Sequence, residues 1–277
     1  MDSHRFVQTT RSLVRAGAGL LGEVARGALD VLFPPPPPCA LCRRPAEISW
    51  ASCVCDRCLD RLPPIGRARC VFCGRAMSGA RSPRVCSQCR AHPTPLEYTR
   101  AYGVYDGYLQ SCIHDLKFRG ALHIAEGLGE LMAWLVASDG RYGRIDGVVA
   151  VPLHPNRERE RGYNQAEALA RVIGRHLRKR VFQPVLRVEE TSPQAKLAWE
   201  ERRVNVRRAF AIPVPAAVAG MRLLLVDDVY TTGSTLGAMA LALRRAGCRA
   251  CVAVCAAASS LDAEFAIRPR PRGGTQE

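Results

Sequence analysis

The chain has 277 residues, enough for one α/β domain of ordinary size and a smaller module. Its 40 basic residues outnumber 25 acidic ones and give a formal net charge of +15, so the surface should attract anions such as phosphorylated metabolites or nucleic acid. The sequence has no run of about 18 apolar residues, which excludes a transmembrane helix. Arginine greatly exceeds lysine, which indicates a GC-rich coding sequence in which part of the arginine is compositional background.

Residues 1–33 predict an amphipathic helix. Their apolar residues fall on one helical face, and Arg15, Glu23, Arg26 and Asp30 fall on the other. A secretory signal is the alternative, but the last three of these charges interrupt the apolar core that such a signal requires. We expect a docking helix that packs on its own protein rather than on a membrane.

Residues 39–90 are rich in cysteine. Each Cys-x-x-Cys pair can present two thiolates from a tight turn, and two such pairs complete a tetrahedral site with four cysteine ligands. Twelve residues separate the first pair from the second and the third from the fourth; the pairs are Cys39/Cys42, Cys55/Cys58, Cys70/Cys73 and Cys86/Cys89. The segment therefore predicts a double zinc ribbon with two structural zinc ions, which would supply much of its folding energy.

Two alternatives to zinc have less support. A disulfide framework needs an oxidising compartment and a signal peptide, and the sequence indicates neither. A single redox-active pair is the other alternative, but four pairs at this spacing favour zinc. The sequence leaves open whether partner pairs are neighbours or nested, and what role the additional Cys53 has.

A strand and a helix follow the cysteine-rich segment. The strand is predicted at 98–105 and the helix at 107–118, which ends in the residues LKFRG. Lys117 and Arg119 lie on either side of Phe118, just before a glycine, where they could reach a phosphate. A solvated helix end is the alternative for this lysine.

A second strand, loop and helix come next. A buried strand is predicted at 145–154, then the loop PNRERERGYNQ, then a helix at 164–179. The loop carries Arg157, Arg159 and Arg161, whose forked donors suit phosphate oxygens, and an ordinary charged surface loop is the alternative. The basic end of the helix is consistent with a solvated terminus or a nucleic-acid contact.

Residues 222–236, RLLLVDDVYTTGSTL, predict a phosphate site. The aliphatic run 223–226 is typical of a strand buried on both faces of a parallel sheet. The carboxylates of Asp227 and Asp228 can accept hydrogen bonds from the vicinal hydroxyls of a ribose. A small hydroxylated loop then opens a helix whose free N–H groups bind anions; its residues are Thr231, Thr232, Gly233, Ser234 and Thr235. The alternative is an ordinary strand, turn and helix with a solvated acidic pair.

The last predicted strand spans residues 248–257. It contains Cys248, Cys251 and Cys255, whose spacing indicates small buried apolar residues rather than metal ligands. The tail from residue 268 is rich in proline, arginine and glycine and is predicted to be disordered.

The stretch 222–236 resembles, over its full length, the phosphoribosyl diphosphate (PRPP) binding motif of type I phosphoribosyltransferases. The resemblance implies that Asp227 and Asp228 hold the ribose hydroxyls and that residues 231–235 hold the 5′-phosphate. It also implies that Mg²⁺ accompanies PRPP.

The same resemblance assigns roles outside the motif. Arg157 and Arg161 follow the first core strand, where the family binds the diphosphate. Residues 187–210 would form a flexible loop that closes over the substrate. Lys196 in that loop and Lys117 would then join the PRPP-binding residues.

From about residue 30 to 260 the chain resembles the ComF family. The resemblance rests on a double zinc ribbon followed by three motifs in this order: LKFRG, VPLHPNRERERGYNQAEALA and VDDVYTTGST. The resemblance implies an α/β type I phosphoribosyltransferase fold, a mostly parallel sheet flanked by helices, at 98–262. A small double zinc ribbon at 39–90 precedes it, with a helix at 1–33 and a disordered tail at 268–277. Family members are cytoplasmic and are associated with natural competence, the uptake and processing of transforming DNA.

Three functions are compatible with these features. The first is a DNA-uptake factor that binds PRPP and contacts single-stranded DNA and the uptake machinery through its zinc module and arginine-rich surface. The second is a metabolic phosphoribosyltransferase with an unknown acceptor, although no residue is an obvious base. The third is a non-enzymatic regulator that senses PRPP. Purine salvage is disfavoured, because Thr231 stands where 6-oxopurine transferases place an acid.

Overall fold

The computed structural model describes residues 37–45, 52–77, 84–188 and 209–261. The predicted helix at 1–33, the tail at 268–277 and Lys196 lie outside the described residues. The structure therefore leaves these three predictions as they stand. None of the described helices is both long and apolar enough to cross a membrane.

A parallel four-stranded sheet forms the centre of the molecule. Two further short strands pair antiparallel with each other; in chain order the six strands are β1 (Tyr98–Val104), β2 (Gly147–Ala150), β3 (Leu186–Arg187), β4 (Phe210–Ala211), β5 (Arg222–Tyr230) and β6 (Ala250–Ala258). The sheet has the order β1-β6-β5-β2, and all of its neighbouring strands run parallel. Every residue of β2 and β6 is buried. This burial explains why their sequences lack an alternating polar face.

Helices flank the sheet and two short ones belong to the cysteine-rich segment. In chain order they are α1 (Asp56–Leu59), α2 (Ser87–Ala91), α3 (Gly107–Phe118), α4 (His123–Ala137), α5 (Pro155–Arg161), α6 (Gln165–Leu177) and α7 (Ser234–Arg245). The predicted fold class is confirmed: a double zinc ribbon precedes an α/β domain with a parallel sheet flanked by helices. Helix α4 was not predicted, because ten of its fifteen residues are buried and it lacks a one-sided apolar pattern.

The segment 155–161 corrects one prediction. A loop was expected there, but residues Pro155–Arg161 form helix α5. Pro155 suits the first turn because its missing N–H would have no helical partner, and the His154 side chain accepts a hydrogen bond from the Asn156 N–H at 3.3 Å. Gly162 ends the helix with a φ of +81°. The strand predicted at 145–154 is correspondingly short and stops at Ala150.

The cysteine-rich segment covers the edge strand β1. The Thr99 N–H donates to the Phe72 carbonyl at 2.8 Å, and the Ile65 N–H donates to the Tyr102 carbonyl at 2.7 Å. These backbone bonds use polar groups that an exposed edge strand would leave unpaired. The ribbon is therefore attached to the sheet rather than connected to it only through the chain.

Candidate functional site

The acidic pair lies on β5, which continues through both carboxylates to Tyr230. Consecutive strand residues point to opposite faces, so Asp227 and Asp228 meet different surroundings. Asp228 is 3% exposed, whereas Asp227 is partly exposed. The Asp227 Oδ1 accepts a hydrogen bond from the Asp228 N–H at 2.9 Å, which orients its carboxylate at the end of the strand.

Two side chains from other elements hold Asp228. The Lys117 Nζ, at the end of α3, lies 2.8 Å from Oδ1, and the Gln165 Nε2, at the start of α6, donates to Oδ2 at 2.6 Å. The Arg161 guanidinium in turn donates to the Gln165 Oε1. A buried carboxylate is costly without such partners, so this network holds the Asp228 side chain at a defined place.

Asp227 differs in its protonation. Burial is the largest cause, and the neighbouring Asp228 charge the next, of a rise in the pKa of Asp227 from 3.8 to about 7. The Lys117 charge and the Asp228 N–H oppose this rise but do not cancel it. Near neutral pH Asp227 can therefore exchange a proton, whereas an exposed aspartate would stay ionised.

The loop after β5 has the geometry of an anion site. Gly233 adopts a φ of +75° directly before α7, and a β-carbon there would overlap the Tyr230 hydroxyl, so only glycine fits. The Ser234 N–H donates to the Thr232 Oγ1 at 3.3 Å, and the two hydroxyls lie 2.8 Å apart. Helix α7 has twelve residues, and Gly233 at its N-cap has no side chain to cap it. N–H groups at such a helix start can bind an anion.

A cavity of about 230 Å³ adjoins this loop. Thr232, Gly233 and Ser234 line one side, and the connection 92–95 between the ribbon and β1 lines the other. The cavity has room for a group bound at the loop, but neither Asp227 nor Asp228 is among the residues that line it. The ribbon's connection thus takes part in shaping the pocket.

The structure brings together only some of the predicted site residues. Lys117 and Arg161 join the Asp228 network, the first directly and the second through Gln165. Arg157 lies partly exposed on α5, and Thr231 is exposed at the loop tip, while Thr235 lies partly buried in the first turn of α7. The strands β3 and β4 pair the two ends of the segment that contains Lys196.

Gln165 is a residue of the candidate site that the sequence analysis did not identify. It is 5% exposed at the first position of α6, and Asn164 caps that helix by accepting from the Ala166 N–H at 2.9 Å. The neighbouring Tyr163 hydroxyl donates to the Leu116 carbonyl and ties this corner to α3. The sequence signal was a polar residue at the start of a helix with an apolar face. That signal could not identify the partner, because Asp228 lies 63 residues away in the sequence.

The eight predicted cysteine ligands form two groups of four. Within each group the sulfur atoms lie within 4.8 Å of one another; the groups are Cys39, Cys42, Cys55 and Cys58, and Cys70, Cys73, Cys86 and Cys89. The Cys42–Cys55 and Cys73–Cys86 sulfur pairs are each 3.9 Å apart. Four sulfurs around zinc at roughly 2.3 Å would be about 3.8 Å apart, so both groups fit a structural zinc ion. Neighbouring pairs combine, which decides against the nested arrangement.

The remaining cysteines are not part of these groups. The Cys53 N–H donates to the Glu130 Oε2 at 2.8 Å. Burial and then the Glu130 carboxylate raise the pKa of the Cys53 thiol from 9.0 to about 12, so it stays protonated. Cys248, Cys251 and Cys255 are buried in and beside β6, which confirms their prediction as apolar core residues.

Comparisons with known proteins agree with this architecture. The double zinc ribbon domain family matches residues 28–97. The DNA utilization protein YhgH of Escherichia coli K12 is 32% identical over 218 residues, 76% of this chain and 92% of that protein. Competence protein F of Haemophilus influenzae is 32% identical over 167 residues, 58% of this chain and 73% of the relative. Competence protein ComFC of Bacillus subtilis is 28% identical over 194 residues, 66% of this chain and 74% of the relative.

Proposed function

Because the chain belongs to the ComF family, we propose that it binds PRPP at the carboxyl end of β5 and serves the uptake and use of DNA. The names of its relatives, a DNA utilization protein and two competence proteins, support the second part. The observation that carries the first part is the buried Asp228 carboxylate, held by Lys117 and Gln165 beside the glycine loop at the start of α7.

Each part of PRPP has a matching group in this arrangement. Asp227 and Asp228 accept hydrogen bonds from the ribose hydroxyls. The loop 231–235 donates N–H and hydroxyl groups to the 5′-phosphate. Arg157 and Arg161, together with Lys196, attract the diphosphate, since guanidinium groups bind phosphate oxygens in pairs.

Magnesium would enter with PRPP. The carboxylates of the acidic pair are oxygen ligands of the kind that Mg²⁺ prefers. Both Asp228 oxygens already have partners and one Asp227 oxygen accepts an N–H, so most of the metal's ligands would be PRPP oxygens and water. The metal would neutralise the diphosphate charge.

Calorimetry with PRPP and Mg²⁺ tests the binding site. Replacing both Asp227 and Asp228 by alanine removes two carboxylate acceptors, and the titration is done above pH 7 because the pKa of Asp227 is raised to about 7. Each acceptor contributes about 1.5–3 kcal/mol, so affinity should fall at least about a hundredfold. Glu167→Ala is the matched control, because this partly exposed carboxylate of α6 pairs with Arg171 of the same helix. Equal affinity in the double variant and the wild type would refute the site. Diphosphate release with candidate acceptors would in addition identify a transferase.

The part of the proposal that concerns DNA rests on the positive surface. Arg178 and Arg180 are exposed at the end of α6, about 18 Å along the helix from Gln165, so their charge can be changed without touching the acidic pair. If they contact single-stranded DNA, their joint replacement by glutamate should lower the log–log salt slope by about 1.4, or roughly 0.7 per phosphate, with PRPP affinity unchanged. The same change at Arg245 and Arg249 controls for general loss of charge. Equal slopes for both double variants would refute a defined contact.

A further inference from the structure

We propose that the second zinc ribbon positions the phosphate loop, with Arg75 as the positioning residue that acts through Tyr230. This inference rests on the proposed PRPP site and adds a regulatory connection to it. The loop conformation, and with it affinity for the 5′-phosphate, would depend on the ribbon that carries Cys70, Cys73, Cys86 and Cys89.

Arg75 lies inside the protein although it carries a charge. It is 4% exposed, and its guanidinium donates to the Gln88 side chain of α2. Its Nε has no hydrogen-bond partner among the described residues. Gln88 lies between Cys86 and Cys89, and Arg75 follows Cys73 by two residues. A buried arginine therefore joins the two Cys-x-x-Cys turns of the second ribbon.

The sulfur cluster explains why a cation can be buried there. Four thiolates around Zn²⁺ carry a net charge of about −2, and a low-dielectric interior favours a cation beside such a centre. A bound metal would also fix the two turns to which Arg75 and Gln88 belong, because metal binding supplies the folding energy of such a module. The position of the Arg75 guanidinium thus depends on the filled ribbon.

Arg75 reaches the acidic strand through Tyr230. Its guanidinium carbon lies 5.8 Å from the centroid of the Tyr230 ring, within the range of a cation–π contact. Tyr230 is the last residue of β5 and is 4% exposed. Its hydroxyl lies against the Cα of Gly233, so close that a β-carbon there would overlap it. A displaced Tyr230 ring would free the space that holds Gly233 in its left-handed conformation.

The ribbon is rigid enough to transmit this contact. Gly74 adopts a φ of +70°, and a β-carbon there would lie 2.6 Å from the Thr99 carbonyl oxygen of β1. The Phe72 carbonyl accepts the Thr99 N–H, and the Cys70 N–H donates to the Arg75 carbonyl at 2.9 Å. Arg75 therefore projects from a turn that is bonded to the sheet on one side and contains zinc ligands on the other.

Hydrogen–deuterium exchange of the zinc-loaded full chain tests the inference without any ligand. Arg75→Met should increase the exchange of the amides 232–235 about tenfold, because the loop loses its support, while amides of β6 keep their protection. Tyr230→Leu changes the same contact from outside the ribbon and should have the same effect. Arg67→Met, an exposed arginine of the cysteine-rich segment, is the control and should change nothing. Zinc content, two ions per chain, is checked for each variant.

Ligand titrations separate a positioning role from a general loss of stability. Arg75→Met should weaken the binding of ribose 5-phosphate and of PRPP by the same factor, about tenfold. The binding of inorganic diphosphate should not change, because only the 5′-phosphate loop has moved. The double variant Arg75→Met/Tyr230→Leu should bind ribose 5-phosphate and PRPP no more weakly than either single variant does.

Unchanged loop exchange in both single variants, or additive effects in the double variant, would overturn the inference. A wild-type protein that binds neither PRPP nor ribose 5-phosphate would instead refute the proposed function. In that case the exchange measurement would still decide whether Arg75 positions the loop.

Discussion

Replacing Lys117 by methionine tests how the acidic pair is held. Methionine retains most of the apolar stem but removes the ammonium group that lies 2.8 Å from the Asp228 carboxylate. The Asp228 side chain is only 5% exposed, so water cannot replace the lost partner without a structural change. Asp228 would then lie buried beside Asp227 without its cation, and the Gln165 amide would still donate to it.

The structure sets the expected magnitude. Removing one partner of a fully buried ion pair costs about 3–5 kcal/mol. Lys117 is 21% exposed and Gln165 keeps its bond to Asp228, so we expect the smaller loss of about 2–3 kcal/mol in the free energy of unfolding. Replacing Asp228 by asparagine as well removes the orphaned charge and should restore most of this loss.

Urea unfolding of the zinc-loaded protein, followed by circular dichroism, measures this effect. Arg119→Met is the matched control, because Arg119 follows the same helix and pairs with Asp115 while its own side chain is 70% exposed. The Arg119→Met variant should lose less than about 0.5 kcal/mol in the free energy of unfolding. If Lys117→Met unfolds at the same urea concentration as Arg119→Met, the ion pair does not hold Asp228 as described.

Two further predictions concern pH and metal. Because burial and the Asp228 charge raise the pKa of Asp227 to about 7, the folded state retains a proton that the unfolded chain releases near its ordinary value of 3.8. The free energy of unfolding should therefore decrease between about pH 4 and pH 7. The Asp227→Asn variant should lack this decrease and be roughly 2–4 kcal/mol more stable than the wild type at pH 8. Parallel pH profiles of the two proteins would contradict the assignment. Elemental analysis should find two zinc ions per chain in the wild type and in Cys53→Ser but one in Cys70→Ser, whereas a loss of zinc from Cys53→Ser would make Cys53 a ligand.

The sequence alone determined the features that short segments encode. A Cys-x-x-Cys turn brings two sulfurs together through its own backbone, so the eight ligands could be named without knowledge of the fold. The stretch 222–236 likewise contains a whole strand, an acidic pair and a helix start, and each is recognisable from neighbouring residues. Helix α3 was predicted with its observed bounds for the same reason.

Only the tertiary structure decided how these segments combine. Neighbouring Cys-x-x-Cys pairs form one zinc site, and Gln165 and Lys117 both bond to Asp228. Arg75 of the ribbon contacts Tyr230. These contacts join residues far apart in the chain, and the spacing of neighbouring residues carries no information about which distant side chain will be the partner. Packing of the helices and the ribbon on the sheet determines that choice, because it decides which polar groups are buried together and must satisfy one another.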